Sequence, residues 1–150
     1  MKKILTVISL SLVCGMACAQ TAVTWTQLSN VTWATAYVAS LKDYYDLPRF
    51  AKEIRDLDGK HISVKGFYVP VDNEGRVFAL SANPSAMCFF CNGAGPESVM
   101  EINVKQGISN FKQMRADKFV ELCGTLKLNR TDPEHLMYIL QDAVLVQVIK

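Results

Sequence analysis

The sequence predicts a mainly β fold with one or two short helices. The form expected is a small OB-like five-stranded barrel preceded by a strand-helix extension, with a β-sandwich as the alternative. Three observations carry this. From Lys60 onward about five stretches read as short strands separated by turns. The clearest helical period is short and lies ahead of them. Gly66 interrupts the first of these strands, which suggests a bend or bulge rather than a flat strand. Closing such a sheet hides edges that otherwise invite aggregation, and an OB-like barrel fits the size and strand count.

The elements follow in chain order. Thr21–Leu41 is rich in Thr, Val, Trp and Tyr, with Val31, Trp33, Thr35 and Tyr37 alternating against Thr32, Ala34, Ala36 and Val38. That composition favours strand. Asp46-Leu47-Pro48 reads as a helix start, with an acid near the N-cap and proline in the first turn. Phe50, Ile54 and Leu57 then recur on one helical face, and Asp58-Gly59 ends it. Lys60–Pro70 places Ile62, Val64 and Tyr68 on one side of a strand. Asp72-Asn73-Glu74-Gly75 turns it into Val77–Ser81, so the two form a hairpin. Asn83–Pro96 is irregular. Ser98–Val104 alternates Met100, Ile102 and Val104 with Glu101 and Asn103, and Ser109–Ala116 reads as a short helix. Lys118–Leu128 puts Val120, Leu122, Leu126 and Leu128 on one face, opposite Glu121, Cys123, Thr125 and Lys127. After a turn at Asp132-Pro133-Glu134-His135, Met137–Ile149 closes the series with a break near Gln141-Asp142.

The N-terminus reads differently. Lys2 and Lys3 precede the apolar run Ile4–Val13, and small residues lead to Ala17-Cys18-Ala19. This is the pattern of a secretory signal peptide over residues 1–19, leaving a single β-rich domain over 20–150. The apolar run is far short of the about 20 residues a spanning helix needs, and no transmembrane segment is expected in the mature chain. Lipid anchoring at Cys14 or Cys18 competes with a soluble mature form, but the flanking residues fit a lipobox poorly. The expected location is the periplasm. Cleavage removes Lys2 and Lys3 and no acid, so 14 basic residues remain against 14 acidic ones. The neutral balance offers no basic footprint for nucleic acid.

Leu57-Asp58-Gly59-Lys60, Val64-Lys65-Gly66-Phe67-Tyr68-Val69-Pro70, Phe78-Ala79-Leu80 and the cysteine at Cys88 resemble a bacterial envelope family, domain of unknown function 3299. The resemblance covers roughly Trp25 to Lys150. It implies export and a small β-rich fold, and no known reaction. The family loop carries one cysteine followed by a histidine and a proline run. Cys88-Phe89-Phe90-Cys91-Asn92-Gly93-Ala94-Gly95-Pro96 departs from that in its second cysteine and in lacking the other two features.

Cys88-Phe89-Phe90-Cys91 is the one pointed motif. A redox dithiol needs its first cysteine at a helix N-terminus, where the thiolate is stabilised. The glycines and proline after Cys91 do not continue a helix. As half of a metal site, Cys88 and Cys91 would need Cys123, His61 or His135 to complete a zinc shell, or Met87 or Met100 to complete a soft copper site. The favoured reading is a structural disulfide, since exported thiols oxidise. Cys88–Cys91 would contribute about 2 kcal/mol and Cys91–Cys123 about 4 kcal/mol by loop-closure entropy. Three cysteines leave one over.

His61 and His135 are lone histidines, read as a strand-edge residue and a turn residue. Trp25, Trp33, Tyr37, Tyr44 and Tyr45 offer a binding face, although core packing explains them more cheaply. Asn30-Val31-Thr32 and Asn129-Arg130-Thr131 match the glycosylation acceptor triplet. No nucleophile elbow, zincin motif or phosphate loop is present. The functional expectation is therefore a non-enzymatic envelope module that binds a protein partner or a metal ion. The alternative is a metal-binding or thiol-disulfide protein acting through Cys88 and Cys91. No cofactor is called for beyond a zinc or copper ion in that alternative.

Overall fold

A computed structural model of the 150-residue chain describes residues 21–71, 78–84, 94–107, 111 and 114–150. The described elements are β1 (Thr21–Val23), α1 (Trp25–Leu28), β2 (Val31–Val38), β3 (Asp43–Phe50), α2 (Lys52–Arg55), β4 (His61–Pro70), β5 (Phe78–Ser81), β6 (Val99–Val104), β7 (Phe119–Leu128) and β8 (Tyr138–Val148). A single 3-10 turn, Pro96–Ser98, precedes β6.

The barrel is built by β4 to β8. The sheet runs β4-β5-β6-β8-β7, and β7 pairs back onto β4 to close it. The β6–β8 pairing is parallel, while the other barrel pairings are antiparallel. β1 adds a parallel strand beside the first half of β4. The alternation in the sequence becomes the inner lining: Ile62, Val64, Leu80, Met100, Val120, Leu122, Leu126 and Leu140 are all buried to 1% exposure or less. The barrel thus replaces the sandwich alternative.

Two glycines let so small a barrel close. A Cβ at Gly66 would stand 2.6 Å from the Ser81 carbonyl oxygen and 2.8 Å from Leu80 Cγ. A Cβ at Gly124 would stand 2.6 Å from the Gln141 carbonyl oxygen. Opposite Gly124, the β7–β8 register shifts between Cys123 and Thr125, and Asp142 takes φ 50°. This bulge is the break expected near Gln141-Asp142, and it bends β8 around the barrel.

Side chains from outside the five strands join the barrel core. At one end Leu28, Phe50 and Ile54 join the core. Phe50 packs its ring 5.6 Å from that of Tyr138, and the Tyr138 hydroxyl donates to the Leu28 carbonyl. Burial, and secondarily the charge of Glu97, raises the Tyr138 pKa. At the other end Phe78 lies 5.3 Å from Tyr68 and 4.8 Å from Phe111, centroid to centroid.

Two expectations ahead of the barrel and one within it need correction. Thr21–Leu41 is not one strand: a helical turn at Trp25–Leu28 divides it. Its signal was legible, because Thr24 and Gln27 form a reciprocal capping box. Asp46-Leu47-Pro48 does not start a helix. These residues lie in β3, opposite Thr35, Ala34 and Trp33 of β2. Proline is tolerated because β3 is an edge strand of a two-stranded sheet. The helix carrying Ile54 begins later, at Lys52, and ends before Gly59 at φ +74°. The described residues among Ser109–Ala116 are not helical, and the rest of that stretch lies outside the description. The Asp72–Gly75 turn also lies outside it, although β4 and β5 pair as the hairpin reading requires.

Candidate ligand-binding groove

The residues quoted for the family resemblance serve the architecture. Asp58 Oδ1 accepts the Leu128 amide at 2.9 Å, and the Gly59 amide donates to the Leu126 carbonyl at 2.8 Å. The turn before β4 is thereby tied to β7. Gly66 provides the close approach described above. Asp58, Gly59 and Gly66 are thus structural, whereas Val69, Phe78 and Ala79 of the same stretches line a cavity.

This cavity, about 690 Å³, lies over β5 and β6. Its wall is mostly apolar, with Val69, Ala79, Val99 and Ile102 prominent, and Glu101 and Glu134 supply its charge. β6 divides its residues between two duties. Met100 fills the core and Ile102 joins it at the cavity floor, while Val99, Glu101 and Asn103 line the cavity.

The β7–β8 loop forms the opposite wall through Pro133, Glu134, His135 and Leu136. Asn129 organises this loop. Its amide nitrogen donates toward the carbonyls of Asp132 (2.6 Å) and His135 (3.0 Å), and its Oδ1 accepts the Asp132 amide at 3.0 Å. That engagement accounts for Asn129 as a loop hub and leaves its amide committed, against the glycosylation reading. Asp132 Oδ1 in turn accepts the Glu134 amide at 3.0 Å.

His135 then clamps the loop to the barrel. Its Nδ1 lies 3.0 Å from Glu101 Oε2. The hydrogen bond and charge of Glu101, followed by the charges of Asp132 and Glu134, raise the imidazole pKa above its ordinary value. Sequence reading placed His135 in a turn but missed this pairing, because Glu101 lies 34 positions earlier.

A second cavity of about 220 Å³ continues beyond the loop. It shares Pro96, Pro133, His135 and Leu136 with the first and is walled on its far side by Trp33, Leu47 and Pro48 of the β2–β3 hairpin. The loop is therefore flanked by two apolar hollows. Of the five aromatics considered as a binding face, Trp33, Tyr37 and Tyr44 are exposed. Trp25 instead packs against the core and donates its indole N–H to the Lys65 carbonyl at 2.7 Å.

Of the proposed thiol or metal residues, Cys88 and Cys91 lie outside the described residues. Cys123 is buried in β7, opposite Ser63 of β4 and Val144 of β8. His61 opens β4 opposite Thr125. Among the described residues no three His, Cys, Asp or Glu side chains converge as a metal site. Among the described residues no helix is long and apolar enough to cross a membrane.

No family model and no curated protein matches the chain. A solved structure does: a DUF3299 family protein from Pseudomonas aeruginosa PAO1, at 15% identity and TM-score 0.50, covering 88% of this chain and 99% of that one. What the two share at that identity is the fold, and the shared fold supports the resemblance read from residues 57–80.

Proposed function

We propose that this protein is a non-enzymatic binding module of the bacterial envelope, and that the groove over β5, β6 and the β7–β8 loop receives an apolar segment of a partner protein. The observation that carries the reading is the groove itself. It is about 690 Å³, in the size range of ligand sites, and lies on the strands and loop that OB-like barrels use for recognition. With Glu101 paired to His135, Glu134 is the carboxylate left at the groove, and it suits an apolar segment carrying a basic side chain.

The test is site-specific photo-crosslinking in cells. A photoreactive residue at Val99 or Leu136 gives one discrete adduct, and the same residue at Thr26, away from the groove, does not. Equal labelling at all three positions, or none at any, rejects the groove.

Export and periplasmic residence are part of the same proposal, supported by the signal-peptide pattern of residues 1–19. The thiol or metal role of Cys88, Cys91 and Cys123 is a separate reading. Intact mass of the protein from its native envelope, native and denatured, with and without alkylation, decides both. A mass starting at Gln20 with one alkylatable thiol and no metal supports export and a structural disulfide. Three thiols with a metal ion on the native protein make the cysteines a ligand site.

A further inference from the structure

A third hollow, about 540 Å³, opens on another flank of the hairpin base, and its chemistry is opposite to that of the groove. Three guanidinium groups line it: Arg49 from the end of β3, Arg55 from the end of α2 and Arg130 from just after β7. Asn30 and Thr32 supply neutral polar groups, and Phe50 an apolar one. No carboxylate lines it.

The arginines differ in how far they are engaged. Arg55 donates one N–H to the Phe50 carbonyl at 2.7 Å. Arg130 lies 3.3 Å from Asp58, outside the lining, with both side chains partly exposed. The Arg49 side chain makes no hydrogen bond or ion pair among the described residues, although its backbone pairs with Thr32 in the hairpin. Each guanidinium carries five donors in a fixed fork, so most donors on the three remain available. Like charges brought together from three elements repel one another, and an anion between them would offset that repulsion. Arginine is the residue suited to planar, two-pronged recognition of oxyanions. The volume falls within the roughly 300–1,000 Å³ of small-molecule sites, which is room for an organic ester rather than a bare ion.

We infer that this cleft binds a phosphate ester through Arg49, Arg55 and Arg130, with Pro48 and Ala51 beside the organic part. Such an ester is either a free small molecule or the head group of an anionic lipid. The test uses the full chain and two probes. Glycerol 1-phosphate is titrated calorimetrically, and vesicles of phosphatidylglycerol are compared with vesicles of phosphatidylcholine by flotation.

Arg49→Gln is the informative variant, because Arg49 holds nothing else in place and its loss leaves unfolding unchanged. It weakens binding about tenfold, the loss of one charged hydrogen-bonding group. Arg49→Lys restores only part of this, since a lysine supplies charge without the fork. Arg115→Gln, an exposed arginine outside the cleft, has no effect. Saturable binding of glycerol 1-phosphate lost in Arg49→Gln identifies a free ester. Vesicle binding alone, lost in the same variant, identifies a lipid head group. Binding to neither probe, or equal weakening by Arg49→Gln and Arg115→Gln, overturns the site.

Discussion

The barrel and the β2–β3 hairpin are both built largely from antiparallel pairings, yet they meet water in opposite ways. Along β4, Ile62, Ser63 and Val64 are all buried, as are all four residues of β5. Along the hairpin, Trp33, Tyr37 and Tyr44 are 41%, 55% and 68% exposed. Closure explains the contrast. Each barrel strand has neighbours on both sides and a shared interior, whereas β2 and β3 have only each other. A free two-stranded ribbon is marginal in water. The hairpin is anchored where it meets the barrel, through Phe50 against Tyr138. Packing therefore fixes the barrel residues, while the exposed hairpin residues are left to surface duties.

Substitutions test how far that division holds. Leu140→Ala in the barrel interior removes a fully buried side chain and costs about 2–5 kcal/mol, read by urea unfolding. Gly66→Ala places a methyl against Ser81 and Leu80 and costs about 1–3 kcal/mol, although it adds only one carbon. A Gly66→Ala protein as stable as the parent means the barrel breathes more than its contacts indicate.

His135 lies where barrel and loop meet. Its pKa, followed by NMR, lies above the ordinary 6.5 and returns toward it in Glu101→Gln. With the folded pKa raised, the clamp contributes fully below about pH 6.5 and is lost as pH rises through the folded value. Tyr44→Ala at the hairpin tip changes stability by no more than about 0.5 kcal/mol. A larger loss there would show that the Tyr37–Tyr44 ring contact at 5.3 Å holds the hairpin together.

The barrel was legible because its signals are local: alternation in β4, β6 and β7, and a glycine where the strand must bend. The hairpin was less so. Asp46-Leu47-Pro48 carries the chemistry of a helix start, and only pairing with Thr35, Ala34 and Trp33 of β2, 11 to 15 positions away, makes it a strand. The helix Trp25–Leu28 was readable from Thr24 and Gln27, and the β-rich composition around it obscured the capping box. The groove and the arginine cleft were not legible at all. Glu101 and His135 are distant in sequence and meet through the β6–β8 pairing, and Arg49 and Arg130 meet where the hairpin docks on the barrel.

That closure depends on one strand in particular. β8 pairs with β7 on one side and, in parallel, with β6 on the other. A ribosome delivers β4, β5, β6 and β7 before it delivers Tyr138–Val148. Until that last strand arrives, the sheet has an open seam between β6 and β7 with Met100, Ile102 and Leu126 uncovered. The order of the strands along the chain thus makes β8 the piece that completes the barrel, and the low-sequence-separation hairpin β4–β5 can pair before it.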